Sequence, residues 1–171
     1  MTAWINAFLG RLEARDVRVR EEPAPGLAPA RLFTISPEDW GTFAHEAKNW
    51  ECRWVAGWGE DAGEDILVNA AFEKDGVYVI ARTQVKRATP VLPSHTPHYP
   101  GADRPERHIQ DLLGVAFTDH PDARRWTRHQ AWKDSDYPLR KNFPAAGNPP
   151  SSTPPDDTYK FLYAQGAGVY E

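Results

Sequence analysis

The sequence predicts an α+β fold: a mixed or antiparallel sheet of about four strands with helices packed on one face, followed by an extended Pro-rich C-terminal arm. Three observations carry this expectation. Apolar residues recur at helical spacing at the N-terminus and again after Ser36. Two alternating runs flank Asp75-Gly76, a dipeptide suited to a tight hairpin. Beyond Pro90, prolines return every few residues and break regular structure.

Trp4, Ile5, Phe8, Leu9 and Leu12 share one helical face, so the first dozen residues read as an amphipathic helix. A short strand follows within Val17 to Glu22, where apolar and charged residues begin by alternating. Pro23 to Pro29 then reads as a linker or extended arm, and Arg31 to Ile35 as a brief strand. Ser36-Pro37-Glu38-Asp39 is a helix start, in which Ser36 is expected to accept from free N–H groups and the acids suit the positive helix end. The helix it opens carries Trp40, Phe43, Ala44 and Ala47 inward.

Cys52 to Trp58, Ile66 to Phe72 and Val77 to Val85 read as a meander, with Ile66, Val68, Ala70 and Phe72 on one side of its middle strand. Glu106 to Leu113 is a short helix ended by Gly114, whose missing Cβ permits a left-handed cap. Residues 115–171 carry many prolines, yet Phe117, Trp126, Trp132, Tyr137, Phe143 and Tyr159 argue against simple disorder. The expected division is an α+β core over residues 1–117 and an extended docking arm over 118–171.

Composition excludes several function classes. The chain has 171 residues, enough for one core plus an additional segment, and its 40% hydrophobic content is that of a globular domain. A net charge of -4 gives no long-range attraction to polyanions, so nucleic acid is not an expected partner. Cys52 is the one cysteine, which rules out an intrachain disulfide, a four-thiolate iron-sulfur cluster and a four-cysteine zinc site. No basic start precedes the apolar residues at the N-terminus, and Asn6 interrupts them, so no signal peptide is expected. No window approaches the run of about eighteen apolar residues that a membrane span needs.

Candidate chemistry is sparse. His95-x-x-His98, with His108 further on, has a metal-like spacing, but Pro97 lies between the first two and no cysteine assists. A stand-alone His-based metal-binding module or small enzyme is the alternative reading on these residues. Asp111, Asp119, His120 and Asp122 lie close in sequence and could supply an oriented general base, yet neighbours in sequence seldom face one another, and His120-Pro121-Asp122 reads better as a turn capped by Asp122. Gly57-Trp58-Gly59 lacks the lysine and helix context of a nucleotide loop. Arg124, Arg125, Trp126, Arg128 and Trp132 are residue types that dominate protein interfaces, which favours a docking surface.

The run Glu106-Arg107-His108-Ile109-Gln110-Asp111-Leu112-Leu113-Gly114, then His120-Pro121-Asp122-Ala123-Arg124-Arg125 and Pro138-Leu139-Arg140-Lys141-Asn142-Phe143-Pro144, resembles the signature of the 30 kDa subunit family of NADH:quinone oxidoreductase (complex I), which includes the homologous component of membrane-bound nickel-iron hydrogenase and formate hydrogenlyase complexes. Val91 to Ser94 and Tyr99 to Ala102 resemble the lead-in, so the likeness covers about residues 85–144. The chain departs at His108, where the family usually has Glu, at Leu113, often Phe or Tyr, and at Asn142, often Asp.

The resemblance implies a non-catalytic, cofactor-free accessory subunit of the peripheral arm, on the cytoplasmic side and membrane-associated only through its complex. Its implied partners are the large catalytic subunit and a neighbouring iron-sulfur subunit, and its implied interface is the motif itself: Glu106, Arg107, Asp111, Gly114, His120, Pro121, Asp122, Arg124, Arg125, Pro138, Leu139, Arg140 and Lys141. NADH dehydrogenase or hydrogenase activity belongs to such an assembly as a whole. Gly166 to Glu171 resembles the junction that, in hydrogenase-type relatives, leads into the large subunit's sequence, so a hydrogenase component split from that subunit is as much expected as a quinone-reductase chain.

Overall fold

Residues 3–128 and 132–144 are described by the computed structural model. Chain order is α1 (Ala3–Glu13), β1 (Val19–Glu22), β2 (Arg31–Ile35), α2 (Trp40–Asn49), β3 (Arg53–Asp61), β4 (Asp65–Lys74), β5 (Val77–Lys86), β6 (Val91–Pro93), α3 (Asp103–Leu113) and β7 (Ala116–Thr118). The first five strands form one sheet in the order β1-β2-β5-β4-β3, so the α+β expectation holds and the sheet is mixed. β2 and β5 run parallel, while the other neighbours are antiparallel. β6 and β7 make a separate parallel pair on either side of α3 in sequence.

The meander is set locally. β4 and β5 join through Asp75 and Gly76, with φ of 54° and 75°, and these two left-handed residues give the turn the twist that hairpin strands need. Alternation then puts Ile66, Val68, Ala70 and Phe72 of β4 on the same face as Val79, Ala81 and Val85 of β5. That face packs against Ile5, Phe8 and Leu12 of α1, Phe43 and Ala47 of α2, and Ile109 and Leu113 of α3. The helices thus cover one face. On the other, Leu32, Ala71 and Ile80 are capped by Ala24, Leu27 and Ala30, so the expected linker contains a short helical turn at Pro25–Leu27.

One local expectation changes. Ser36 makes no cap bond to a backbone N–H; its hydroxyl donates instead to the Asp39 carboxylate at 2.8 Å, and a 3-10 turn over Pro37–Asp39 leads into α2. Gly59 is a packing device within β3. A Cβ there would overlap Leu113 and approach Ile109 within 3.3 Å, so the bare backbone lets α3 lie on this edge strand.

Candidate functional site: a segment clamped to the last helix

α3 is short and strongly two-sided, and Gly114 ends it with φ of 79° while its N–H bonds back to the Gln110 carbonyl. Its apolar side meets the sheet. Its charged residues Glu106, Arg107 and Asp111 are buried all the same, and each must find partners or destabilise the fold.

Glu106 finds them before the helix. Its carboxylate accepts from the Ser94 hydroxyl, the His95 N–H at 2.6 Å and the Thr96 hydroxyl at 2.9 Å. Burial pushes its pKa above the usual carboxylate value, and these bonds pull the other way. His120 closes the cluster, with Nε2 placed 3.7 Å from Glu106 and 3.2 Å from the Asp103 carbonyl, while its Nδ1 accepts from the Asp122 N–H. A neutral ring donating from Nε2 fits these partners. Asp122 also accepts from the Arg124 N–H, as the turn reading requires.

Arg107 and Asp111 face the segment after β7. The Arg107 guanidinium donates to the carbonyls of Arg124 at 2.8 Å and Arg125 at 3.3 Å and pairs with Asp122 at 3.1 Å. Asp111 accepts three successive backbone N–H groups, from Trp126 at 2.7 Å, Thr127 at 2.6 Å and Arg128 at 3.1 Å. Burial opposes its ionisation, but the N–H groups and nearby Arg128 outweigh it and hold the carboxyl below its ordinary value. One acid and one base of α3 therefore grip opposite polarities of the same backbone stretch.

The Pro138 to Lys141 stretch forms a second latch. α3 ends with carbonyls that no helical N–H can satisfy. The Leu139 N–H donates to Leu112 and the Arg140 guanidinium to Leu113, at 3.1 and 2.9 Å. Arg140 also stacks 4.1 Å from the Tyr137 ring, and both groups fill the space that a Cβ on Gly114 would need. The Lys141 N–H reaches Asp61 at the end of β3 at 2.6 Å, where Arg87 pairs as well. Arg128, buried and 5.0 Å from Tyr137, donates to the Lys133, Asp134 and Asp136 carbonyls.

The motif residues thus divide. Glu106, Arg107, Asp111, His120, Asp122 and Arg140 are occupied within the chain, while Pro121, Arg124, Leu139 and Lys141 are exposed. Arg125, part-exposed, donates to the Trp132 carbonyl and pairs with Asp134. Pro138 is partly covered beside the latch. The expected arm beyond residue 144, with Tyr159 and the Gly166 to Glu171 run, lies outside the described residues.

The histidine spacing assembles no centre. His95 stacks on Trp40 at 4.5 Å and its Nε2 lies 3.1 Å from the Trp40 carbonyl; His98 sits beside His45, and His108 bonds to Thr127. Among the described residues, no group of three or more His, Cys, Asp or Glu side chains is arranged to hold a metal ion. Burial raises the Cys52 thiol to about 11, which leaves it unreactive at neutral pH. Among the same residues no helix is long and apolar enough to cross a membrane.

Sequence reading missed Glu46, fully buried on α2, where Arg11 of α1 pairs at 2.6 Å and Arg15 at 3.6 Å. It also missed Asp61 and Arg104. Each is a charged residue on a run that reads as solvent-facing, and only the fold supplies its neighbours.

Comparison with known proteins places this geometry. The chain is 36% identical over 88 residues to the mitochondrial NADH-ubiquinone oxidoreductase 30.4 kDa subunit of Neurospora crassa, a match covering 52% of this chain and 30% of that protein. It is 34% identical over 89 residues to formate hydrogenlyase subunit 5 of Escherichia coli, covering 52% of this chain and 16% of that one. The matched region is thus less than half the length of these relatives. A solved structure of the trypsin-resistant fragment (1-134) of Nqo5 shares the fold, with a TM-score of 0.53, 19% identity, and coverage of 70% of this chain and 98% of that chain. Residues 33–149 match the family described as respiratory-chain NADH dehydrogenase, 30 Kd subunit, and span both latches, β5 and α3. The chain belongs to that family.

Proposed function

We propose that this chain is a non-catalytic scaffolding subunit in the peripheral arm of a complex I-like or hydrogenase-type redox complex, and that it docks on the large catalytic subunit. One observation carries the reading: buried Arg107 and Asp111 of α3 are spent on holding the chain's own 122–128 stretch, and the last carbonyls of the same helix hold Leu139 and Arg140. A segment with so little secondary structure gains a fixed shape only by such clamping. A surface fixed before binding loses less conformational entropy when a partner arrives. Trp126, at 41% exposure, and Leu139, at 53%, are large apolar groups on that surface.

Residues 118–171 are the docking arm in this account, and residues 1–117 the core that carries it. The chain holds no flavin, cluster or transition metal of its own, and electron transfer belongs to its neighbours. Similarity to both a 30.4 kDa ubiquinone oxidoreductase subunit and a formate hydrogenlyase subunit supports the class of assembly without choosing between its two forms. Co-expression with the large catalytic subunit of the same source, followed by size-exclusion chromatography, tests the reading. Co-elution as a stoichiometric complex is expected; two separate peaks at micromolar concentration would overturn it.

A further inference from the structure

We infer that a pocket between the start of α3 and the Arg124 to Trp126 turn receives a carboxylate-bearing segment of the partner protein, with Arg104 as the receiving cation and Trp126 as its platform. The inference rests on the assembly proposed for this chain and assigns it a contact point.

The pocket has a volume of about 450 Å³ and is lined by Asp103, Arg104, Arg107, Arg124, Arg125 and Trp126. Three of its four arginines are already engaged. Arg107 holds backbone carbonyls and Asp122, Arg124 forms a two-pronged pair with Asp122 at 2.9 and 2.8 Å, and Arg125 faces Asp134. Of the carboxylates, Asp103 is turned toward His120 and Arg107, at 3.6 and 3.8 Å. Four guanidinium groups against the three carboxylates of Asp103, Asp122 and Asp134 leave one cation in excess.

That cation is Arg104. Among the described residues it has no carboxylate within 4.0 Å and no side-chain hydrogen bond, but its guanidinium lies 4.3 Å from the Trp126 ring centre. A guanidinium held over an indole ring can still offer its N–H groups in two parallel bonds to a carboxylate. Trp126 itself stays 41% exposed while its backbone is pinned by Asp111. A second cation is available nearby, because the Asp134 side chain facing Arg125 is fully exposed and exchanges readily with water. An acidic side chain beside an apolar one fits this surface. A polyanion fits it poorly, since Asp103 lines the pocket, Asp122 already pairs with Arg107 and Arg124, and the chain carries a net charge of -4.

The test measures binding of the purified full chain to the immobilised large catalytic subunit from the same source, at 50 and 300 mM salt. Arg104→Ala, Arg104→Lys and Trp126→Ala are compared with the unaltered chain, and each is melted alone. Arg104→Ala is expected to weaken binding about tenfold or more with an unchanged Tm, and Arg104→Lys to recover only part, because a lysine offers charge without the fork. Salt should weaken the unaltered chain more than Arg104→Ala. Unaltered affinity in both Arg104→Ala and Trp126→Ala, with the complex intact, overturns the pocket and leaves the assembly reading standing. Failure of the unaltered chain to bind overturns both.

Discussion

Removing the Asp111 carboxylate should release the 122–128 segment from α3 without dissolving the core. Three N–H groups end on one carboxylate oxygen, and bonds to a charged acceptor are worth about 1.5 to 3 kcal/mol each when counted singly. They are not additive here. Water can reach the part-buried Trp126 and Thr127 groups once the acid is gone, and the mutation also relieves burial of the second carboxylate oxygen, which has no partner. Asp111→Ala is therefore expected to lower the opening free energy of the segment by about 2 to 4 kcal/mol, and Asp111→Asn, which keeps an acceptor, by about half of that. The open population should rise about thirtyfold or more for the alanine variant. Trypsin reads this directly, because Arg124, Arg125 and Arg128 lie in the released stretch. Under conditions where opening precedes cleavage, the rate at these sites should rise in step with the open population. Arg107→Ala should act on the same stretch, so the double variant should cost clearly less than the sum of the two. Cleavage at the unaltered rate in Asp111→Ala, or strict additivity with Arg107→Ala, would refute the clamp.

Other outcomes follow from single features. Gly114→Val should destabilise by about 1 to 3 kcal/mol, since its backbone is left-handed and its Cβ position lies 2.6 Å from Arg140 and 2.7 Å from Tyr137; an unchanged Tm would contradict this. Gly59→Ala should cost about 1 to 3 kcal/mol by wedging Leu113 off β3, measured by urea denaturation, and a neutral result would show that α3 sits elsewhere. Burial holds His95 down at about 3 from an ordinary 6.5, so the unfolded chain takes up a proton that the folded chain refuses. Stability from this residue is complete above the unfolded value and declines as pH falls, by about 2 kcal/mol between pH 6.5 and 5; His95→Phe should flatten that limb of a pH-dependent denaturation series, and an unchanged slope would clear His95 of the effect. The purified chain should be colourless, with no flavin or cluster absorption, and elemental analysis should find no stoichiometric transition metal; one tightly held zinc lost on His95→Ala would reverse that expectation.

Much of the fold was legible because its signals are local. Asp75-Gly76 fixes a turn within four residues, alternation assigns the faces of β4 and β5, and Gly114 marks the end of α3. The parallel pairing of β2 with β5 was not legible, because Phe33 and Ala81 meet across an intervening helix and two strands. Each of the five strands shows a local pattern, β1 within Val17 to Glu22 among them, but nothing local shows that a four-residue strand with mostly charged side chains joins the same sheet, which was expected to have about four strands. In the site, the residue types of the motif were visible but not their directions. Glu106, Arg107 and Asp111 look solvent-facing on a helix so poor in apolar residues; the Ser94 to Thr96 stretch accounts for the burial of the first and the returning backbone of 122–128 for that of the other two. Asp61 stands eighty positions from Lys141 in sequence, and nothing at either end foretells that latch.

The central claim is that the clamped segment is the face presented to the large catalytic subunit. Hydrogen exchange of the full chain, with and without that subunit, tests it most directly. Protection on binding should concentrate in 119–144, above all around Trp126 and Leu139, with the β1 edge and the α1–α2 surface unchanged. Protection confined to β1 and α1, with 119–144 exchanging as in the free chain, would contradict the account.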